Sequence, residues 1–306
     1  MQTRRVGYLF IGLILLAGIA VIGFIGISGP GKKIPQDFNS QRAIGDVEYQ
    51  LSLGPRTVGS QAHQKAVDWL VRELQAAGWK TEIQEGELDG HPIKNIVAKW
   101  GQGTPWAILG AHYDTRLVAD HDPNQAYRTT PVPGANDGAS GVAVLLELAR
   151  VIPGKIKDSS RFGQIWLVFI DTEDNGNIPG WDWILGSRMF ADSLQQFPDA
   201  VAVLDMIGDS NLNIYQESNS DRQLTQQIWQ IADRLGYKKD FIPKMGYSML
   251  DDHTPFLERG IRAVDIIDFD YPFWHSTSDT LDKVSADSLK VVGEVMLEWL
   301  VGSNNP

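Results

Sequence analysis

Cysteine is absent from the 306 residues. A cysteine nucleophile, a thiolate-bound zinc and any disulfide are therefore excluded. The compartment stays open, because exported chains need no cysteine. Histidine is scarce, with six in all, so metal ligands must come from these few and from carboxylates. Positive charge is also short: 27 Lys and Arg stand against 38 Asp and Glu, a formal net charge of −11. No basic run follows the N-terminus. This argues against a nucleic-acid partner, which needs a positive face, and suits a substrate that itself carries positive charge. Internal repeats are lacking, and so is any linker that would split off a second soluble domain.

One long apolar run is present. Arg4 and Arg5 precede an uncharged stretch from Val6 to Ile27, and about 20 such residues span a bilayer. A cleaved signal peptide has a shorter apolar core and a small-x-small site after it. The expectation is an uncleaved single-pass anchor with flanks over 1–33, followed by one catalytic domain over 34–306. Lys32 and Lys33 nearly balance the two arginines. The short N-terminal tail places the domain on the extracytoplasmic side of the membrane.

The remainder is 43% hydrophobic over the whole chain, enough for a sizeable core, and it has the length of one large α/β domain. Its centre is Ala107 to Leu148. AILGAHYDT reads as a buried strand that delivers His112 and Asp114 at its C-terminal end. PGANDGASG is a turn carrying Asn136 and Asp137, and VAVLLELARVI has helical length. Further strands are expected at WKTEIQEGEL and IKNIVAKW, joined by Asp89-Gly90 as a hairpin turn, and at IWLVFID, AVAVLDMIG and IRAVDIID. Helices are expected from Asn39 or Ser40 to about Leu53, and over Lys65–Ala77, Trp183–Leu194, Asp221–Leu235, His253–Arg259 and Ala286–Val301. Alternation of this kind predicts a mixed, mostly parallel sheet with helices on both faces.

Polar residues recur at the ends of the apolar strands: His112 and Asp114, Glu173 and Asp174, Asp205, then His275 beyond IIDFDYPFW, with Asp137 in the turn. Parallel strands lie about 5 Å apart, so such ends converge on one crevice. Several carboxylates and two histidines there would repel without a cation. Imidazole nitrogen with carboxylate oxygen is a zinc-type donor set. Asp114 is expected to orient His112. The bland readings are a turn aspartate at 137, a helix-capping pair at 251–252, a structural His253, and surface positions for His63, His91 and His121.

These stretches carry a resemblance. GAHYDT, GANDGASG, FIDTED, LGSR (185–188), LDMIGD, DDHTPFLERG and FWHSTSDT, in this order, resemble the zinc-dependent clan of bacterial aminopeptidases and glutaminyl-peptide cyclotransferases, from Asp46 to the end. The resemblance implies a three-layer α/β/α fold of the phosphorylase/hydrolase-like zinc exopeptidase kind, with a twisted mixed sheet. In the peptidases it implies two metals on His112, Asp137, Asp174, Asp205 and His275, with Asp137 bridging. In the animal cyclotransferases it implies one zinc on Asp137, Asp174 and His275. Glu173 matches the general base in both, Asp251 matches an acid of the animal cyclotransferases, and Trp274 with Trp181 or Trp183 matches pocket aromatics; Asp205 is expected to hold metal or to share the proton of Glu173.

Two positions depart from the pattern. Asp174 stands where Glu is usual, shortening the reach by about 1.5 Å, and Asp265 stands where animal cyclotransferases have His. TEDNGNIPGWDWILGSR is similar to the glutamate–aspartate variant of bacterial cyclotransferases. The reading is therefore a zinc enzyme, with one ion or two, acting on peptides or proteins with a free N-terminus. It cyclises N-terminal glutaminyl residues to pyroglutamate with release of ammonia. The alternatives are a dinuclear aminopeptidase and a membrane-tethered ectodomain without chemistry.

Overall fold

The computed structural model describes residues 37–156 and 163–302. Contacts divide the chain at 33/34. The expected anchor lies outside the described residues, and among those described no helix is long and apolar enough to cross a membrane.

The chain runs α1 (Ser40–Ser52), α2 (Gln61–Ala76), β1 (Lys80–Leu88), β2 (His91–Gly101), β3 (Pro105–His112), α3 (Ala139–Lys155), β4 (Gln164–Ile170), α4 (Leu185–Ser193) and β5 (Ala200–Asp205). It continues through β6 (Ile214–Gln216), α5 (Arg222–Leu235), β7 (Phe241–Met245), α6 (Thr254–Glu258), β8 (Ala263–Ile267) and α7 (Ala286–Val301). Side-chain caps start several helices: Asn39, Ser60 and Asp221 accept the N–H groups of Arg42, His63 and Leu224, which offsets otherwise unpaired first-turn donors.

Six strands form the main sheet in the order β1-β2-β4-β3-β5-β8. β1, β2 and β4 pair antiparallel, whereas β4, β3, β5 and β8 run parallel. Asp89 and Gly90 both take positive φ, 51° and 82°, as a two-residue hairpin turn of this type demands. Period-two alternation sorts the strand residues between two cores. Leu109, Ala111, Leu167, Phe169, Ala202 and Leu204 pack with α1, α2, α3, α5 and α7. Ile108, Val168, Ile170, Val201 and Val203 pack with Phe190 of α4 and Phe256 of α6. The result is the expected α/β/α sandwich.

Helix α3 is buried almost all round, from Ala139 to Ile152. A Cβ at Gly141 would stand 2.3 Å from the Leu204 carbonyl oxygen. That glycine lets the Asp137-bearing turn seat its helix directly on β5, the strand that ends in Asp205.

Three expectations need correction. α2 begins at Gln61, ahead of Lys65, because Ser60 caps it. α4 begins at Leu185 instead of Trp183, because Ile184 sits in the left-handed region at φ 58°. The two-stranded parallel sheet of β6 and β7 was not anticipated. Its strands are short, and FIPKM carries a proline and a lysine that argue against a strand.

Candidate active site

β3, β4 and β5 end side by side and present His112, the Glu173–Asp174 turn and Asp205. The turn before α3 brings Asp137, and the loop after β8 brings His275. Two triads of ligand-type atoms share Asp137: His112–Asp137–Asp205 and Asp137–Asp174–His275. His112 Nε2 lies 3.1 Å from Asp137 Oδ1 and 3.1 Å from Asp205 Oδ1. His275 Nε2 lies 2.8 Å from Asp174 Oδ1 and 3.7 Å from Asp137 Oδ2. Every ligand residue expected from the sequence is therefore brought together.

Backbone strain concentrates here. The non-glycine residues Thr172, Ile184, Met206 and His275 have φ of 56°, 58°, 46° and 53°. Each is a site residue or the immediate neighbour of one, and such strain persists only where the surroundings enforce it.

Several enforcing groups were not singled out from the sequence. Asp279 accepts the N–H groups of Asn136 and Asp137 at 2.9 and 3.2 Å, and the Tyr271 hydroxyl at 2.6 Å. Arg56, fully buried, donates to the carbonyls of Tyr113, Pro133 and Gly134. Arg116 donates to the carbonyls of Asp174 and Gly176 and pairs with Asp120 at 2.7 Å. Nothing in their local sequence marks the two arginines, since their role is to close loops far apart in the chain. Asp279 did lie in a matched stretch, FWHSTSDT.

Asp114 lies 3.6 Å from His112 Nδ1, too long for a hydrogen bond. Its carboxylate instead accepts the N–H groups of Glu173 and Asp174 at 3.1 and 3.4 Å, fixing the turn that carries them. Asp265 does not touch the first cluster. It pairs with Val203 in the sheet and faces His253, Nδ1 to Oδ2 3.9 Å. Asp251 lines the cleft; the N-cap position of α6 falls on His253, which makes no side-chain capping bond, so the capping reading of 251–252 is not what the fold uses.

The cleft over the triads has a volume of about 190 Å³ and is walled by Trp183, Met206, Met249, Phe269 and Trp274, with Glu173 and Asp251 exposed to it. Trp274 stacks on His275 with centroids 3.7 Å apart, and Trp183 lies parallel to the same imidazole at 5.9 Å. Gly176 makes room for Trp183, whose ring would lie 2.0 Å from a Cβ there. Trp181 is corrected: it is not part of this wall but stacks on His91 at 3.6 Å, drawn there by the bond of His91 to the Gly180 carbonyl. His63 is also corrected. It is buried against Asp171 at 2.7 Å, because α2 starts early enough to carry it to the residue that follows β4.

Electrostatics follow from burial. Glu173 is pushed well above the usual carboxylate range by burial and by Asp174. Asp174 is pushed likewise by burial and Asp137, and Asp205 rises to about 6 from burial, with Asp251 adding to it. Burial lowers His275 to about 3, so at neutral pH it is an unprotonated donor. Burial would lower His112 too, but the carboxylates of Asp114, Asp137 and Asp205 outweigh it and hold it well above the usual histidine value.

A metal ion fits these residues. Asp137 Oδ2 and Asp174 Oδ2 are buried without a hydrogen-bond partner, which is costly for carboxylates unless a cation sits among them. Nitrogen from His275 with oxygens from Asp137 and Asp174 is a zinc donor set with room for a further ligand.

Fold and site together define a zinc-exopeptidase-like enzyme with its centre at the strand ends of an α/β/α sandwich. The chain belongs to peptidase family M28, whose sequence profile matches residues 95–300, and within it resembles the glutaminyl cyclases. It is 33% identical to the glutaminyl cyclase of Tannerella forsythia, with TM-score 0.81, covering 88% of this chain and 100% of that one. It is 31% identical to a Zn-dependent exopeptidase from Parabacteroides distasonis, with TM-score 0.81, covering 89% and 100%. The glutaminyl-peptide cyclotransferase of Bos taurus is 27% identical over 290 residues, 80% of this chain and 78% of that protein.

Proposed function

We propose that this enzyme cyclises N-terminal glutaminyl residues of peptides to pyroglutamate, using one zinc ion on Asp137, Asp174 and His275. The observation that carries the reading is the cleft. At about 190 Å³ it is smaller than the roughly 300–1,000 Å³ of sites for larger ligands. It ends on His275 between Trp183 and Trp274, so it suits one side chain and keeps water away from it. Of the buried carboxylate oxygens without partners, Asp174 Oδ2 lies in this triad and Asp137 Oδ2 in both, which supports this triad as a metal-holding one.

A bound zinc ion supplies Lewis-acid polarisation of the side-chain carbonyl. The protein's own part is positional and protonic. The substrate's α-amino nitrogen attacks its side-chain amide carbon, the ring C–N bond forms, and the bond to the amide nitrogen breaks. Glu173 takes the proton from the amine and delivers it to the departing nitrogen, which leaves as ammonia. Asp205 and Asp251 line the same cleft as Glu173 and share its proton or stabilise positive charge on the substrate amine. Because the nucleophile belongs to the substrate, proximity is largely built in.

The aminopeptidase reading draws support from the second triad, His112–Asp137–Asp205, which would hold a second ion with Asp137 bridging. Zinc-loaded protein incubated with Gln-Phe-amide and Leu-Phe-amide separates the readings. Ammonia and a pyroglutamyl product support cyclisation, free leucine supports the peptidase, and neither product leaves a domain without chemistry. The apolar run Val6–Ile27 supports a membrane tether with the enzyme on the extracytoplasmic side; protease accessibility of the domain on intact spheroplasts tests it.

A further inference from the structure

We infer that Asp251, His253 and Asp265 form a further cation site behind the wall of the cleft, taking a small divalent ion of the zinc or manganese kind. It is independent of which reaction the first site performs. Ligand-type atoms of the three residues lie within 4.8 Å of one another. Asp251 is 5% exposed, and His253 and Asp265 are 0% exposed.

The arrangement of His253 is that of a metal ligand. Its Nε2 lies 3.2 Å from Glu217 Oε2. Glu217 also accepts the N–H groups of Asn219, Ser220 and Met249, which fix its carboxylate beside the imidazole. Neither ring nitrogen of His253 has a hydrogen-bond partner, so the Nδ1 lone pair is available to a cation. That lone pair faces Asp265, with Nδ1 and Oδ2 3.9 Å apart. The gap is too long for a hydrogen bond and about twice a zinc–ligand distance of ~2.0 Å. Both Asp265 oxygens likewise have no hydrogen-bond partner.

A lone pair and carboxylates facing one another in a dry interior repel. A bridging water would satisfy their hydrogen bonds but would not compensate the carboxylates in their ionised form. A cation answers both. Asp251 also lines the cleft, which gives the ion an entry path and ties its presence to the position of a cleft-facing acid.

The test uses the full chain, stripped by chelation, reloaded with zinc chloride or manganese chloride, desalted and assayed by elemental mass spectrometry. Asp265→Asn and His253→Gln are each expected to hold one ion fewer per chain than the parent, and to show a smaller metal-induced rise in Tm. Unaltered near-ultraviolet circular dichroism of either variant confirms its fold. If either folded variant binds as many ions as the parent, or if Asp265→Asn raises Tm in metal-free protein and leaves the metal-induced rise unchanged, the site is a buried acid cluster bridged by water, and the inference is overturned.

Discussion

The clearest demands fall on single residues. Glu173 is buried, with its proton affinity raised by burial and by Asp174, and it faces the cleft without being in either triad. Glu173→Gln is expected to keep zinc, measured by elemental analysis, while kcat falls by about 10²–10⁴, the usual worth of a general base. His275→Ala removes a nitrogen that burial keeps unprotonated down to about pH 3. Loss of bound zinc at neutral pH is the expected outcome. Glu173 was legible in the sequence because it closely follows an apolar strand, where a carboxylate needs a reason, and His275 because it lies in the matched stretch FWHSTSDT. Trp181 and Trp183 could not be told apart on that basis. They are two residues apart, and only the ring of the second lies over Gly176 and toward His275. His63 was misplaced because its partner, Asp171, is distant in sequence and comes close only through the packing of α2.

Elements place these residues by close approach. The contact of α3 with β5 depends on Gly141, where any Cβ meets backbone. Gly141→Ala is expected to destabilise the fold by about 1–3 kcal/mol, the usual cost of overpacking, read as a lowered denaturation midpoint in urea. Glu217 fastens the 217–220 turn to the 249–253 loop through the N–H groups of Ser220 and Met249. Its pKa falls from the ordinary 4.5 to about 2, so its stabilisation is fully present above pH 4.5 and is lost as pH falls through about 2. Glu217→Gln is expected to cost on the order of 2–3 kcal/mol at pH 6. The difference from the parent should vanish between pH 4.5 and 2 in denaturation curves taken across that range. The main strands and the two helix-covered faces followed from hydrophobic periodicity, whereas the order of strands in the sheet did not, because periodicity says nothing of which strands pair. β6 and β7 did not, because three to five residues with polar faces carry too little period to be seen.

At the scale of the whole molecule, the architecture gathers carboxylates that would destabilise one another and makes that tension useful. The net charge of −11 favours encounter with a substrate bearing an ammonium terminus. kcat/KM is therefore expected to fall as ionic strength rises from about 0.01 to 0.15 M, as screening shortens the reach of the field from ~30 to ~8 Å. Fold class was legible from the alternation of elements, and the site from their polar ends. The arginines and Asp279 that fasten the loops were not, since their partners are backbone atoms brought near only by the finished fold.

The central claim is that a cation reconciles Asp137, Asp174 and His275. Crystals of the zinc-loaded protein, with data collected on both sides of the zinc absorption edge, test it most directly. The account predicts an anomalous peak about 2.0–2.2 Å from oxygens of Asp137 and Asp174 and from Nε2 of His275. A map with no peak among these three residues, and their side chains apart or bridged by water alone, would contradict it.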